Sequence, residues 1–339
     1  MKKFLSGATG ISSLLILILL TFASCKDSDK RNEQQADTEV VASAEDPFFK
    51  ISLAQWSLHE PIMNGTMNPI DFAEKASDLG FEGIEYVSQL YSDKYKDAED
   101  PEAAFKSLID TLKQKSEEYN VRNVLIMVDN EGDLASPDAA VRKQAVKNHQ
   151  KWVDAAQTLG CHSIRVNLFG SEDRDIWRKS AAAGLKDLAE YAAGRDINVL
   201  VENHGYLSSD ANLLIAVMED VNMENCGTLP DFGNFCLKRE GGERWEASCV
   251  QEYPKYKGVS EMMPYAKAVS AKSYAFNDEG EETTIDYGKM LEIIKEVSYN
   301  SYVGVEYEGT NLSPEEGILA TKELLIEKGT KLNSEKEKQ

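Results

Sequence analysis

Cysteine and histidine are both scarce in this chain, five and four among 339 residues. No CxxC pair occurs, which excludes a thiolate zinc cage and a redox dithiol. Four histidines are also too few for a His-rich multi-metal centre. Basic residues are short as well: 37 Lys and Arg face 58 Asp and Glu, for a net charge of −21. A surface of that sign repels phosphate backbones and excludes nucleic acid as a partner. No glycine-rich loop follows the first β-rich run, where Gln55-Trp56-Ser57-Leu58-His59 stands instead, so a dinucleotide-binding fold is excluded too. The apolar run from Ile11 to Ala23 has 13 residues, short of the ~20 that a spanning helix needs.

What the N-terminus does have is the layout of a processing signal. Lys2 and Lys3 form a basic start, Leu14 to Leu20 an apolar middle, and Ala23 and Ser24 lead to Cys25. This resembles the bacterial lipobox, with Phe22 where Leu is usual. The resemblance implies a lipoprotein signal peptide over 1–24 and lipidation at Cys25; a secretory signal with an incidental Cys is the alternative. Residues 25–46 are polar and lack aromatics, so they read as a tether. Residues 331–339 read as a disordered tail. The expected protein is an exported bacterial lipoprotein of the periplasm or outer membrane, held to the membrane by its lipid. Cleavage would remove two lysines and no acid, taking the charge from −21 to −23. Of the remaining cysteines, Cys236 and Cys249 could close the ends of one irregular insertion as a disulfide, or stay unpaired.

From Phe49 on, β-rich runs alternate with amphipathic helical runs. The strand candidates are Lys50–Trp56, Gly83–Val87, Arg122–Val128, Ser163–Phe169, Asn198–Asn203, Gly227–Asp231, Ala268–Tyr274 and Tyr302–Tyr307. Their starts lie 33, 39, 41, 35, 29, 41 and 34 residues apart, the pitch of βα units. Asn68-Pro69, Ser136-Pro137 and Ser313-Pro314 set N-caps beside a helix-starting proline, and Gly80 and Gly160 end helices. Met290, Ile293, Ile294 and Val297 form a helical stripe that reads as core. Eight such units predict a closed (β/α)8 barrel, a TIM barrel, over residues 47–330.

Active groups of such barrels stand at the C-terminal strand ends. Read in order, these ends give Glu85, Asp129, Arg165 with Asn167, Glu202 with His204, Asp231, Lys272 and Glu306. Burying that many ionisable groups is costly unless they coordinate something. Glu202 and His204 share a face if the strand stays extended, as do Ser270, Lys272 and Tyr274. Hard oxygen ligands suit Mg2+ or Mn2+, and a histidine would admit Co2+ or Zn2+. His204 could be a metal ligand or a substrate-binding donor. His149, inside the helical run Val146–Ala156, reads as surface or packing, and His162 lies toward the opposite barrel end. The insertion Leu237–Lys257, with Trp245, Tyr253 and Tyr256, reads as a lid or rim loop whose aromatics either pack or stack on a bound ring. Asp129, Glu131 and Asp133 lack the remaining ligands of a calcium loop.

The segments Val201-Glu202-Asn203-His204-Gly205, Leu229-Pro230-Asp231-Phe232-Gly233-Asn234 and Val305-Glu306-Tyr307-Glu308-Gly309 resemble the xylose-isomerase-like barrel family, over about residues 49–328. Leu125-Ile126-Met127-Val128-Asp129 and Ser163-Ile164-Arg165-Val166-Asn167 are similar to its sugar phosphate isomerase/epimerase branch. The resemblance implies metal ligands Glu202, Asp231 and Glu306, with Glu202 and Glu306 doubling as an acid–base pair. Two positions depart from the family pattern: Ser270 stands where many members have a ligand His, and Asn234 replaces the His of Asp-x-x-His. Lys272 is expected to stabilise an oxyanion, and His204, Arg165, Asn167 and Asn234 to contact substrate. The expected activity is divalent-metal-dependent isomerisation or epimerisation of a sugar or keto-sugar through an enediolate. A lyase acting on 3-keto-glycosides and a non-catalytic sugar-binding lipoprotein are the alternatives.

Overall fold

A computed structural model describes residues 46–336, apart from 244 and 246. The signal peptide, most of the tether and Cys25 lie outside the described residues. Ten strands run in chain order: β1 (Lys50–Ala54), β2 (Gly83–Val87), β3 (Arg122–Val128), β4 (Ser163–Val166), β5 (Asn198–Glu202), β6 (Cys226–Leu229), β7 (Cys236–Arg239), β8 (Cys249–Glu252), β9 (Val269–Ser273) and β10 (Tyr302–Tyr307). Eight form one all-parallel sheet in the order β6-β5-β4-β3-β2-β1-β10-β9. The seam between β6 and β9 closes through bridges at Thr228–Ala266 and Asp231–Ser270. Three backbone bonds carry it: Lys267 N to Thr228 O (3.1 Å), Ser270 N to Pro230 O (2.9 Å) and Phe232 N to Ser270 O (3.1 Å). The architecture is the expected TIM barrel.

Both faces of the strands are covered, so they read as near-continuous buried runs, with Leu53, Ile84, Leu125, Ile164, Val199, Leu229, Val269 and Val303 almost wholly sealed. Helices return the chain outside the barrel, and aspartate starts most of them. Asp100, Asp138, Asp173, Asp210 and Asp286 each accept a backbone N–H of the first turn. Such caps are each worth about 1 kcal/mol. Asn68 caps a short turn of 3-10 helix as expected, while Ser136 does not cap: Asp138, two residues on, takes both Ala140 N and Val141 N. Ser313 and Glu316 form a reciprocal capping box at the last helix. Gly160 caps in the left-handed conformation, φ 75°.

Further expectations shift. Several strands end earlier than the β-rich runs suggest, because the chain turns at the mouth: after Ala54 it enters a 3-10 turn, and Asn167, Asn203 and Asp231 stand just past the last ladder residue. Val297 is exposed rather than part of its helix's buried stripe. The tail expected from Lys331 is helical through Lys336, as part of the helix Pro314–Lys336. Leu332 packs on the core, Lys295 Nζ donates to the Leu332 carbonyl, and Asn333 Nδ2 donates to Asp46 O (3.1 Å). Among the described residues no helix is long and apolar enough to cross a membrane.

β7 and β8 stand apart from the barrel as an antiparallel hairpin closed by a Cys236–Cys249 disulfide. Cys161 and Cys226 are free and buried.

Candidate active and metal site

The site assembles at the seam. β5 ends on Glu202, the chain after β6 delivers Asp231, β9 presents Ser270 and Lys272, and β10 presents Glu306 in register with Lys272. One oxygen from each of Glu202, Asp231 and Glu306 lies within 4.8 Å of the others, and all three are buried. Lys272 Nζ stands 2.9 Å from Glu306 Oε1, 3.2 Å from Glu308 Oε1 and 4.0 Å from Asp231 Oδ2. Ser270, where family members carry a histidine, places Oγ 2.6 Å from Asp231 Oδ2 and 2.8 Å from Glu306 Oε2. A hydroxyl has one proton and satisfies one carboxylate at a time.

Each carboxylate is oriented. Asp231 Oδ1 accepts the backbone N–H groups of Gly233 (2.7 Å) and Asn234 (2.8 Å), and Asn234 Nδ2 donates to Glu202 Oε1 (2.9 Å). Arg165 forms a salt bridge with Asp129 at 2.9 Å and lies 2.8 Å from Glu202 Oε2 without hydrogen-bond alignment, so that oxygen has no hydrogen-bond donor. Asn167 donates to Asp129 Oδ1 (2.6 Å). Its Oδ1 lies 2.7 Å from His204 Nδ1, which makes Nδ1–H the donor.

Burial dominates the electrostatics. It raises Glu202 and Asp231, against the pull of Arg165 and Lys272. Burial alone would lower Lys272, but Glu306, Glu308 and Asp231 outweigh it and hold the ammonium well above its ordinary value. Burial lowers His204 to about 4 with help from Arg165, so the ring is neutral at pH 7. Of these two, Lys272 alone carries positive charge at neutral pH.

Do these residues suit a divalent cation? The donors are hard oxygens. Glu202 Oε2 is a buried carboxylate oxygen without a hydrogen bond. Among the described residues, the carboxyls of Asp129, Glu202, Asp231, Glu306 and Glu308 at the mouth, with Glu85 deeper in the barrel, have Arg165 and Lys272 as their cationic neighbours. A surplus of that sign needs protons or a cation. The set fits, and the buried Glu–Asp–Glu group could hold a metal.

A cavity of about 590 Å³ opens onto this cluster at Glu306. Asp129, Arg165, Asn167, His204, Asn234 and Glu306 line it, joined by Trp56, Phe169, Trp245 and Tyr274. His149, in the helix Ala139–Leu159, is buried, bonds to Ala145 O (2.8 Å) and reaches the cavity wall. His162 lies elsewhere, against Ser163 Oγ. Glu85 does not reach the mouth: it sits mid-strand inside the barrel, accepts Ser52 Oγ (2.5 Å), and burial lifts it to about 8. Gly304 makes room for it, since a Cβ there would stand 2.6 Å from Glu85 Oε1.

Two residues were quoted in the motifs without a role. Asn203 is fully buried, donates to Asp231 O (3.0 Å) and accepts Asp231 N (2.7 Å), locking the ligand's backbone to β5. Glu308 neutralises Lys272 from beyond the end of β10. Alternation along a strand could not reveal either, because both lie past a strand end.

The chain belongs to the xylose isomerase-like TIM barrel family, whose model matches residues 73–328. Among solved structures, an L-ribulose 3-epimerase aligns with a TM-score of 0.62 at 15% identity, over 86% of this chain and 97% of that one. The 3-keto-D-glucoside 4-epimerase YcjR of E. coli aligns at 0.59 and 14%, over 76% and 94%. IolI with a bound zinc atom aligns at 0.60 and 14%, over 84% and 99%. At these identities the likeness is one of fold. No curated protein matches the sequence.

Proposed function

We propose that the chain is a sugar or keto-sugar isomerase or epimerase working with a divalent cation, Mn2+ or Mg2+ foremost and Co2+ or Zn2+ as alternatives, held by Glu202, Asp231 and Glu306. The observation that carries the reading is the meeting of three buried carboxylates and one ammonium beside an open polar cavity that reaches the group at Glu306. Family membership and neighbours named as epimerases support it. When bound, the cation would polarise a substrate carbonyl and its neighbouring hydroxyl. Glu202 and Glu306 come from different strands, so one can remove the proton beside the carbonyl while the other returns it. Lys272, held charged between Glu306 and Glu308, stabilises the growing oxyanion. Asp231, fixed by two backbone N–H groups and Asn203, is a ligand only. Asn234 keeps Glu202 in its rotamer, and Arg165, Asn167 and His204 form the polar wall that meets sugar hydroxyls.

The cavity also favours an unphosphorylated substrate. Among the described lining residues, Asp129, Glu131, Asp133, Glu306 and Glu308 outnumber Arg165 and Arg239. Arg165 already pairs with carboxylates, and Arg239 donates to Ala247 O (2.8 Å). Export through lipidated Cys25 agrees with such a substrate. Cys25→Ala should shift the mature domain to the soluble fraction, and unchanged membrane association and lipid labelling would refute the anchor.

The function is tested by incubating metal-replete protein with a panel of free sugars and 3-keto-sugars in D2O and following it by NMR. Deuterium at one carbon with substrate mass conserved supports the isomerase. Release of an aglycone or second sugar after the same exchange indicates a lyase, for which the large cavity leaves room. No exchange with any sugar points to a binding protein.

A further inference from the structure

An indole on the rim stands exposed where a polar cavity needs no apolar wall. Trp245 is 45% exposed yet lines the mouth, carried there by the β7–β8 hairpin. Its ring lies 4.9 Å from that of His204 and 5.7 Å from that of Phe169, at 38° and 79°. Phe169 and His204 follow β4 and β5 and Trp245 follows β7, so the three make one wall on the side away from β1.

The hairpin holds this wall in place. Besides the disulfide, Glu240 N donates to Ser248 O (3.0 Å), Arg239 Nη1 to Ala247 O, and Tyr206 Oη to the Glu243 carbonyl (2.7 Å). The indole closes over the backbone of Gly205, where φ is +85° and even a Cβ would stand 3.6 Å from Cζ3. An indole that rests on His204, Phe169 and Gly205 and lines the cavity is placed to receive something flat and partly apolar. An indole costs free energy while it faces water and regains it on covering the C–H face of a pyranose ring.

Volume gives the second argument. A six-carbon sugar displaces about six waters, or ~180 Å³ at ~30 Å³ each. The cavity of about 590 Å³ therefore holds more than one ring. A ring seated against Glu306 would fill about a third of that volume, and Trp245 lines the same cavity.

We infer that Trp245, with Phe169 and His204, forms a subsite for a second sugar ring, so that the substrate is a glycoside or disaccharide and not a lone monosaccharide. The inference builds on the isomerase or epimerase reading for the reacting ring, but binding tests it independently of turnover. Calorimetric titration of glucose, cellobiose and maltose into wild type, Trp245→Ala and Trp245→Phe is the experiment. At least one two-ring sugar should bind wild type about tenfold tighter than glucose. Trp245→Ala should abolish that margin and leave glucose unchanged, while Trp245→Phe keeps most of it. One- and two-ring sugars binding alike, no two-ring sugar binding at millimolar concentration, or a margin that survives Trp245→Ala would each overturn the subsite. Solvent-deuterium exchange across the panel of free sugars and 3-keto-sugars separates the two ideas. A Trp245-dependent margin without exchange keeps the subsite and sinks the isomerase; exchange into free monosaccharides without any margin does the reverse.

Discussion

The floor of the mouth and its rim are built in opposite ways. On the floor, Glu202, Asp231, Lys272 and Glu306 are at most 4% exposed, and each is held by neighbours from two or more strands. On the rim, Trp245 belongs to a two-stranded insertion that reaches the barrel through a few loop contacts and is closed by a disulfide. The floor can fix reacting atoms to fractions of an ångström because the closed barrel determines its backbone. The rim can change sequence or length without disturbing the barrel, a property that suits such loops to setting substrate choice. The proposed chemistry and the proposed second-ring subsite thus fall on differently built parts of the molecule.

Glu306→Gln is the sharpest attempt to break that division. Gln keeps the size and one oxygen donor but cannot accept the proton, so exchange and turnover should fall on the order of 10²-fold or more with some metal retained. Wild-type exchange in both Glu306→Gln and Glu202→Gln would return these residues to mere coordination. Next in size, Asp231→Ala should lose most bound divalent metal by elemental analysis; stoichiometric metal equal to wild type would remove Asp231 from the site.

Glu85 probes how much charge the barrel interior bears. Its carboxyl is raised from 4.5 to about 8, so between those values the unfolded chain releases a proton that the folded chain keeps. Stability is thereby lost as pH climbs from 4.5 to 8. In metal-stripped protein, Glu85→Gln should gain on the order of 4 kcal/mol over wild type at pH 8 and little at pH 4, read by urea unfolding. An equal effect at both pH values would show that Glu85 is ionised in the fold. The smallest effect belongs to the rim. Cys236→Ser with Cys249→Ser removes a short cross-link worth up to ~3 kcal/mol in principle. The loss should be confined to the hairpin, seen as faster amide exchange over 236–252 with the barrel's unfolding midpoint nearly unchanged. A large fall in the midpoint would mean that hairpin and barrel unfold as one unit.

The residues of the floor were legible because barrel strands recur at a fixed pitch and deliver their ends to one mouth. Glu202, Asp231, Lys272 and Glu306 could be named together on that ground. Glu85 was misplaced to the mouth because alternation does not tell how deep along the barrel a residue sits; Gly304 opposite it provides the room. Ser136 lost its cap to Asp138 because either residue suits an N-cap and only the path of the chain chooses between them. The tail beyond Lys331 looked like a polar end, and its helix depends on contacts with Lys295 and Asp46, far away in sequence.

By itself, then, the sequence determined the eightfold βα cadence, the acidic character and the set of carboxylates, since periodicity and residue type are local properties. Tertiary structure alone decided that Ser270 joins Asp231 to Glu306, that Asn203 locks the strand next to its own, and that Trp245 meets His204 and Phe169. Each of these joins strands or loops far apart in sequence, and the first of them also spans the β6–β9 seam.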